Sequence, residues 1–206
     1  MKELALHILD ALQNSVEAGA TWIRLTVEEH GATNLLRIHI EDNGRGMSAE
    51  AAARATHPFV TTRRTRHVGL GLPLFAEAAR QTDGTFVVES SRGQGTRVTA
   101  TFRHNHIDRA PLGDVPNAIV AVLLAPRRVG IFYEHVRDGR VFRFDSEEIR
   151  AELGDVCVSE PRVTAWVLEH LSEGEMELEL DGPAPGAAAF PPATGRRNEE
   201  YERCPD

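Results

Sequence analysis

Between residues 2 and 18 the apolar positions recur at helical spacing. Leu4, Ala5, Ile8, Leu9, Leu12 and Val16 share one side, and His7, Asp10, Asn14 and Glu17 share a narrow polar arc on another. "AGAT" ends this helix, with Gly19 suited to its C-terminus. The period then changes to two. "TWIRLTVEE" puts Ile23, Leu25 and Val27 on one face, "LLRIHIED" repeats this with Leu36, Ile38 and Ile40, and "HGATN" between them predicts an antiparallel hairpin. Ser48 is placed to cap a short alanine-rich helix over 49–56, which stops before Pro58. Residues 57–71 read as a loop, "LPLFAEAARQT" as a second helix, and "GTFVVESS" with "GTRVTATF" as a strand pair around "RGQG". The region up to about residue 105 is therefore expected to be α/β, an α+β two-layer sandwich with helices on one face of a mixed sheet.

From "GDVPNAIVAVLLA" the pattern restarts. A helix is followed by strands "VGIFYEHV" and "RVFRFD" across an Asp138-Gly139 turn, then by helices near 146–153 and 160–172. Asp145 with Glu148 resembles a capping box built on Asp. Phe132, Tyr133, Phe142, Phe144 and Trp166 read as a small core in preference to a ligand box. The stretch after Asp181 holds five of the chain's eleven prolines among Ala and Gly, a composition expected to be disordered. The expected organisation is residues 1–105, a small α+β module over 106–180, and a tail over 181–206.

A formal charge of −8 over 206 residues argues against broad nucleic-acid binding, which needs a basic face. Glu3, His7 and Asp10 interrupt what a signal peptide would keep apolar, and no long apolar run follows, so a soluble, cytoplasmic protein with no membrane partner is expected. Cys157 and Cys204 show neither metal-ligand spacing nor a disulfide framework, which fits a reduced compartment. His104 and His106 near Asp108 lack the remaining ligands a metal needs and read as an interdomain joint.

Four separated pieces carry candidate chemistry. Asp10 and Asn14, four residues apart on the first helix, stack on one face. An amide oxygen there can ligate Mg²⁺, and a carboxylate one turn earlier can hold or deprotonate a water. "DNGRGM" follows a strand, so Asp42 can accept from an exocyclic amine while Gly44 and Gly46, just before Met47, let backbone approach a flat ring. "GLGL" opens a helix, where backbone N–H groups face an anion. "GQGT" presents the Thr96 hydroxyl from the start of a strand. Each piece alone reads first as a turn or a solvated helix face; their order carries the weight.

That order resembles the ATP-binding domain shared by DNA gyrase, Hsp90, sensor histidine kinases and MutL-type repair proteins, over roughly residues 3–103. The resemblance implies a Bergerat-type fold and Mg-ATP as ligand. It implies that Asn14 ligates Mg²⁺, Asp42 meets the adenine amino group, and Gly44, Gly46 and Met47 shape the purine pocket. Gly69, Leu70 and Gly71 would cap the phosphates, and Thr96 would bond adenine through water. Hydrolysing members carry Glu where this chain has Asp10, so Asp10 is either a base or a holder of water. Arg63, Arg64, Arg66 and His67 precede "GLGL" as a basic lid beside the triphosphate. His7, on the same arc as Asp10, reads as structural in preference to a phosphoacceptor.

"PFVTTR" followed closely by "VGLGLPL" resembles the compact lid of sensor histidine kinases. The Asn box begins almost at residue 1, leaving no room for the two-helix hairpin that carries their phosphorylated His, so an acceptor on a partner protein, in trans, is expected. Stand-alone members that act as anti-sigma factors phosphorylate Ser on a partner but carry Glu at the Asp10 position. The alternatives are an ATP-gated regulatory module without phosphotransfer, or a slow ATPase. A homodimer is compatible with either. "HILDALQNS", "HPFVTTR", "GLGLPL" and "HIDRAPLGD" further resemble small stand-alone kinase-like proteins of anaerobic bacteria encoded beside iron-only hydrogenase genes.

Overall fold

The computed structural model describes residues 3–55, 71–154 and 156–180. The opening helix α1 (Leu4–Glu17) leads into β1 (Trp22–His30) and β2 (Leu35–Asp42), and the short α2 (Ala49–Arg54) follows. The helix α3 (Gly71–Arg80) precedes the hairpin β3 (Phe86–Ser91) and β4 (Gly95–Arg103). Then come α4 (Val115–Leu123), β5 (Gly130–Arg137), β6 (Arg140–Asp145), α5 (Ser146–Leu153) and α6 (Pro161–Glu179).

All six strands form one mixed sheet in the order β3-β4-β2-β1-β5-β6. Only β1 and β5 run parallel, with Leu25 opposite Tyr133; the other neighbours are antiparallel. Alternation decides which face is covered. Ile23, Leu25 and Val27 of β1 and Leu36, Ile38 and Ile40 of β2 are all buried beneath the helical layer. Each such side chain contributes about 1.5–3 kcal/mol relative to exposure. On the opposite face, Thr26, Glu28, Arg37, His39, Thr99 and Thr101 line an open polar groove.

The C-terminal strands extend the sheet that the first half begins. Tyr133, Phe142 and Phe144 are core residues as expected, and they belong to the same apolar cluster as Ile8, Leu25 and Ile119. Phe132 takes the other face, with the Arg24 guanidinium 5.2 Å from its ring centre. The Asp138-Gly139 turn forms as expected, both residues having positive φ (47° and 88°).

Local rules hold at three caps. Ser48 accepts from the Ala51 N–H, Asp114 from the Asn117 N–H, and Asp145 from the Glu147 N–H. The last helix runs past the expected end near 172 to Glu179. Gly174 interrupts the helical pattern, yet a Cβ there would lie 2.1 Å from the Phe142 ring. Close packing on the sheet requires the glycine, and it overrides the low helix propensity.

Cys157 is disulfide-bonded, which corrects the reading of two cysteines without a disulfide; Cys204 lies outside the described residues. No helix among the described residues is long and apolar enough to cross a membrane. The expectation for the tail over 181–206 also falls outside the described residues.

Candidate functional site

At the C-terminal end of β2, Asp42 is buried with its carboxylate held from two directions. Ser15 Oγ donates to Oδ2 at 2.7 Å, and the Gly44 N–H donates to Oδ1 at 2.8 Å. Those two donors occupy about half of the roughly four acceptor positions of an ionised carboxylate, so the rest can accept from a ligand N–H. Asn43 locks the turn that follows. Its Oδ1 accepts from the Thr21 and Trp22 N–H groups at 2.8 and 3.1 Å, and its Nδ2 donates to Thr21 Oγ1.

The next turn is pinned between two elements. The Arg45 N–H donates to the Ala18 carbonyl beyond α1, and the Arg45 carbonyl accepts from the Gly93 N–H in the β3–β4 turn. Gly46 has φ of +61°, and a Cβ there would sit 2.0 Å from the Ser91 carbonyl oxygen. Gly95, with φ of +84°, lies equally close to the Asp42 carbonyl, 1.8 Å from where its Cβ would be. Side chains at either position would push β2, β3 and β4 apart where their ends meet.

Ser90 ties these pieces together. Its Oγ accepts from the Met47 N–H at 2.8 Å, donates to the Gly95 carbonyl at 2.9 Å and lies 2.9 Å from Thr96 Oγ1. A serine hydroxyl carries one proton. With that proton on Gly95, the Thr96 hydroxyl donates to Ser90 and keeps its own lone pairs for a ligand or water. Thr96 is directly opposite Asp42 in the β2–β4 register.

Asp10 and Asn14 lie half-buried one turn apart on α1, and both are engaged in contacts. A Cβ on Gly71 would lie 3.0 Å from Asp10 Cβ and 3.1 Å from its Oδ2, so the first turn of α3 abuts this carboxylate. Deeper on the same helix, the buried His7 ring stacks on Phe75 of α3, with centroids 5.1 Å apart and planes 4° apart. Burial lowers its pKa to about 4, so it is neutral near pH 7. This placement fits the structural reading of His7.

The fold thus brings Asp10, Asn14, Asp42, Gly44, Gly46, Met47, Gly71 and Thr96 to the adjoining ends of α1, β2, α3 and β4. Gly69, Leu70 and the basic cluster Arg63, Arg64, Arg66 and His67 lie outside the described residues. Sequence reasoning missed Ser15, Asn43, Ser90 and Gly95. Ser15 follows Asn14 directly and Asn43 follows Asp42, but pairing Ser15 with Asp42, 27 residues away, needs the fold.

The sequence profile described as "Histidine kinase-, DNA gyrase B-, and HSP90-like ATPase" matches residues 2–106, just over half of the chain. The chain belongs to this family. Curated members similar to it include the histidine protein kinase DivJ of Caulobacter vibrioides, 33% identical over 48% of this chain and 17% of that protein. The sensor protein kinase FleS of Pseudomonas aeruginosa is 35% identical over 52% of this chain and 26% of that protein. The chain spans between 13% and 26% of the length of the curated relatives it matches. Among solved structures, full-length ShkA in complex with AMPPNP aligns over 54% of this chain and 23% of that one, with 26% identity and a TM-score of 0.42. Membership makes residues 2–106 an ATPase-type nucleotide-binding domain of the kind shared by histidine kinases, DNA gyrase B and Hsp90.

Proposed function

We propose that the protein binds Mg-ATP and phosphorylates or regulates a partner protein in trans. The observation that carries this reading is the buried Asp42 carboxylate. Held by Ser15 and the Gly44 N–H, it keeps acceptor capacity for an amine such as the one adenine presents. The donor set also suits a hard cation. Asn14 would offer an amide oxygen, and Asp10 would hold a water beside it, with phosphate oxygens completing the shell. A bound Mg²⁺ would supply neutralisation of phosphate charge. Asp42, Gly44, Gly46, Met47 and Thr96 would orient the base, and the Gly71 turn would close against the phosphate end. The phosphoryl acceptor would be a His, Ser or Thr of the partner.

A second reading has its own support. The first two N–H groups of α1, on Leu4 and Ala5, donate to the carbonyls of Pro111 and Leu112, at 2.9 and 2.7 Å. The helix that would meet Mg-ATP is thus fastened to the segment leading into the C-terminal half, an arrangement suited to an ATP-gated regulatory module. The redox-linked setting implied by the hydrogenase-associated likeness belongs to the proposal in either form.

Incubation with γ-labelled ATP and Mg²⁺, alone and with a lysate of the source cells, separates the readings. Label on one partner, lost with Asn14→Ala, supports the kinase. Tight binding with neither transfer nor release supports the gated module, and absence of nucleotide binding overturns both.

A further inference from the structure

At the far end of β1 from the nucleotide pocket, a cavity of about 550 Å³ opens between the 104–116 join, β5 and α6. Glu29, on its wall, is six residues along β1 from Ile23, the partner of Asp42, or about 20 Å at strand spacing. The volume suits a small molecule.

One wall is a buried polar network. His135 Nε2 lies 3.1 Å from Glu29 Oε1, and its Nδ1 lies 2.9 Å from Glu175 Oε2. Tyr133 donates to Glu175 at 2.6 Å, and His104 Nε2 lies 2.8 Å from Glu29. Both carboxylates are therefore committed. Both ring nitrogens of His135 face carboxylates, which leaves no free lone pair for a metal, and among the described residues no cluster is arranged to hold one.

The guanidiniums differ. Arg137 lines the cavity with its side chain 34% exposed, and among the described residues its contacts are two loose ion pairs, 4.0 Å to Glu29 and 3.7 Å to Glu179. Both exceed hydrogen-bond length, so its donors are unspent. Arg109 also lines the cavity; it donates through Nε to the His104 carbonyl and through one terminal nitrogen to Ala110, leaving the other. Four carboxylates, of Glu29, Glu175, Glu179 and Asp114, line the cavity against His135 and these two guanidiniums, so a preference for an anion rests on the guanidinium donors and not on an excess of positive charge. Glu179 and Asp114 are exposed at the rim, where solvent screens them. Leu112, Pro116 and Met176 supply apolar wall.

We propose that this cavity is a second ligand site for a small organic anion, with a carboxylate or phosphate head on Arg137 and Arg109 and a short apolar body against Leu112 and Met176. The planar fork of an uncommitted arginine is suited to such heads.

The test titrates the full chain with sodium pentanoate, propyl phosphate and, as a neutral isostere, pentanamide, each to about 50 mM. Methyl signals of Met176 and Leu112 report occupancy by NMR. At least one anion is expected to saturate them while pentanamide does not, and the better of the two identifies the head group. Arg137→Met is expected to weaken that anion at least about tenfold with the rest of the spectrum unchanged. Failure of both anions to saturate, equal binding of pentanamide, or unchanged affinity in Arg137→Met or, should that variant not fold, in Arg137→Gln, overturns the proposal.

Discussion

Ser15 Oγ lies 2.7 Å from Asp42 Oδ2, which joins the residue after Asn14 on α1 to the end of β2. Through that bond α1, which carries Asn14, and the Asp42 carboxylate at the end of β2 hold each other in place.

Removing the hydroxyl should therefore weaken nucleotide binding without abolishing it. Ser15→Ala is expected to lower ATP affinity about 5- to 10-fold, the net value of one ordinary hydrogen bond. Asp42→Asn should cost at least about a hundredfold, because an amide can turn its own N–H groups toward the base amine. Isothermal titration calorimetry of both variants checks this. Wild-type affinity in Asp42→Asn would end the base-recognition reading.

Two glycines in the β3–β4 turn separate backbone preference from close approach. Gly93 has φ of +75° with nothing within 4 Å of a built Cβ, whereas at Gly95, with φ of +84°, the Cβ would lie 1.8 Å from the Asp42 carbonyl oxygen. Gly93→Ala is expected to cost about 1 kcal/mol for the left-handed backbone alone. Gly95→Ala should cost at least about 3 kcal/mol and also displace Asp42, so stability and ATP affinity fall together. Urea denaturation of both variants gives the comparison, and equal losses would contradict it.

Much of this geometry was legible before the fold. Period-two alternation marked β1 and β2 and the face each buries, and the ordered glycine and Asn pieces marked Asp42, Gly46, Gly71 and Thr96. Contacts that depend on register were not legible. Nothing local to Ser90 says that Met47 and Thr96 converge on it, and nothing local to Glu29 says that a parallel strand more than a hundred residues later brings His135 beside it. The extent of α6 failed for the same reason: propensity at Gly174 argues for a stop, and only the Phe142 ring explains why the helix goes on.

That packing can be tested directly. Alanine is a better helix former than glycine by about 1 kcal/mol, so Gly174→Ala would stabilise an exposed helix. Here the added methyl meets the Phe142 ring, and overpacking of about 1–3 kcal/mol should win. Thermal unfolding should show a lower Tm for Gly174→Ala, partly restored by adding Phe142→Leu. A higher Tm in the single variant would show that α6 can move off the sheet without loss.

The His135 network sets how stability depends on pH. Burial alone would lower the His135 pKa, but hydrogen bonds and charge from Glu175 and Glu29 outweigh it and raise the value to about 9. Burial opposes ionisation of Glu29 as well, yet His135, His104 and Arg137 bring its pKa down to about 2. The raised histidine contributes stability that is fully present below its unfolded pKa of about 6.5 and is lost as pH rises through about 9, on the order of 3 kcal/mol in all. The lowered carboxyl contributes above about 4.5 and loses that contribution as pH falls through about 2. His135→Phe leaves the buried Glu29 and the half-buried Glu175 without this cation, so it should be less stable at neutral pH, with most of the gap to wild type closing between pH 6.5 and 10. Urea midpoints measured across that range for both proteins check the expectation, and parallel curves would show that His135 is not the group that titrates.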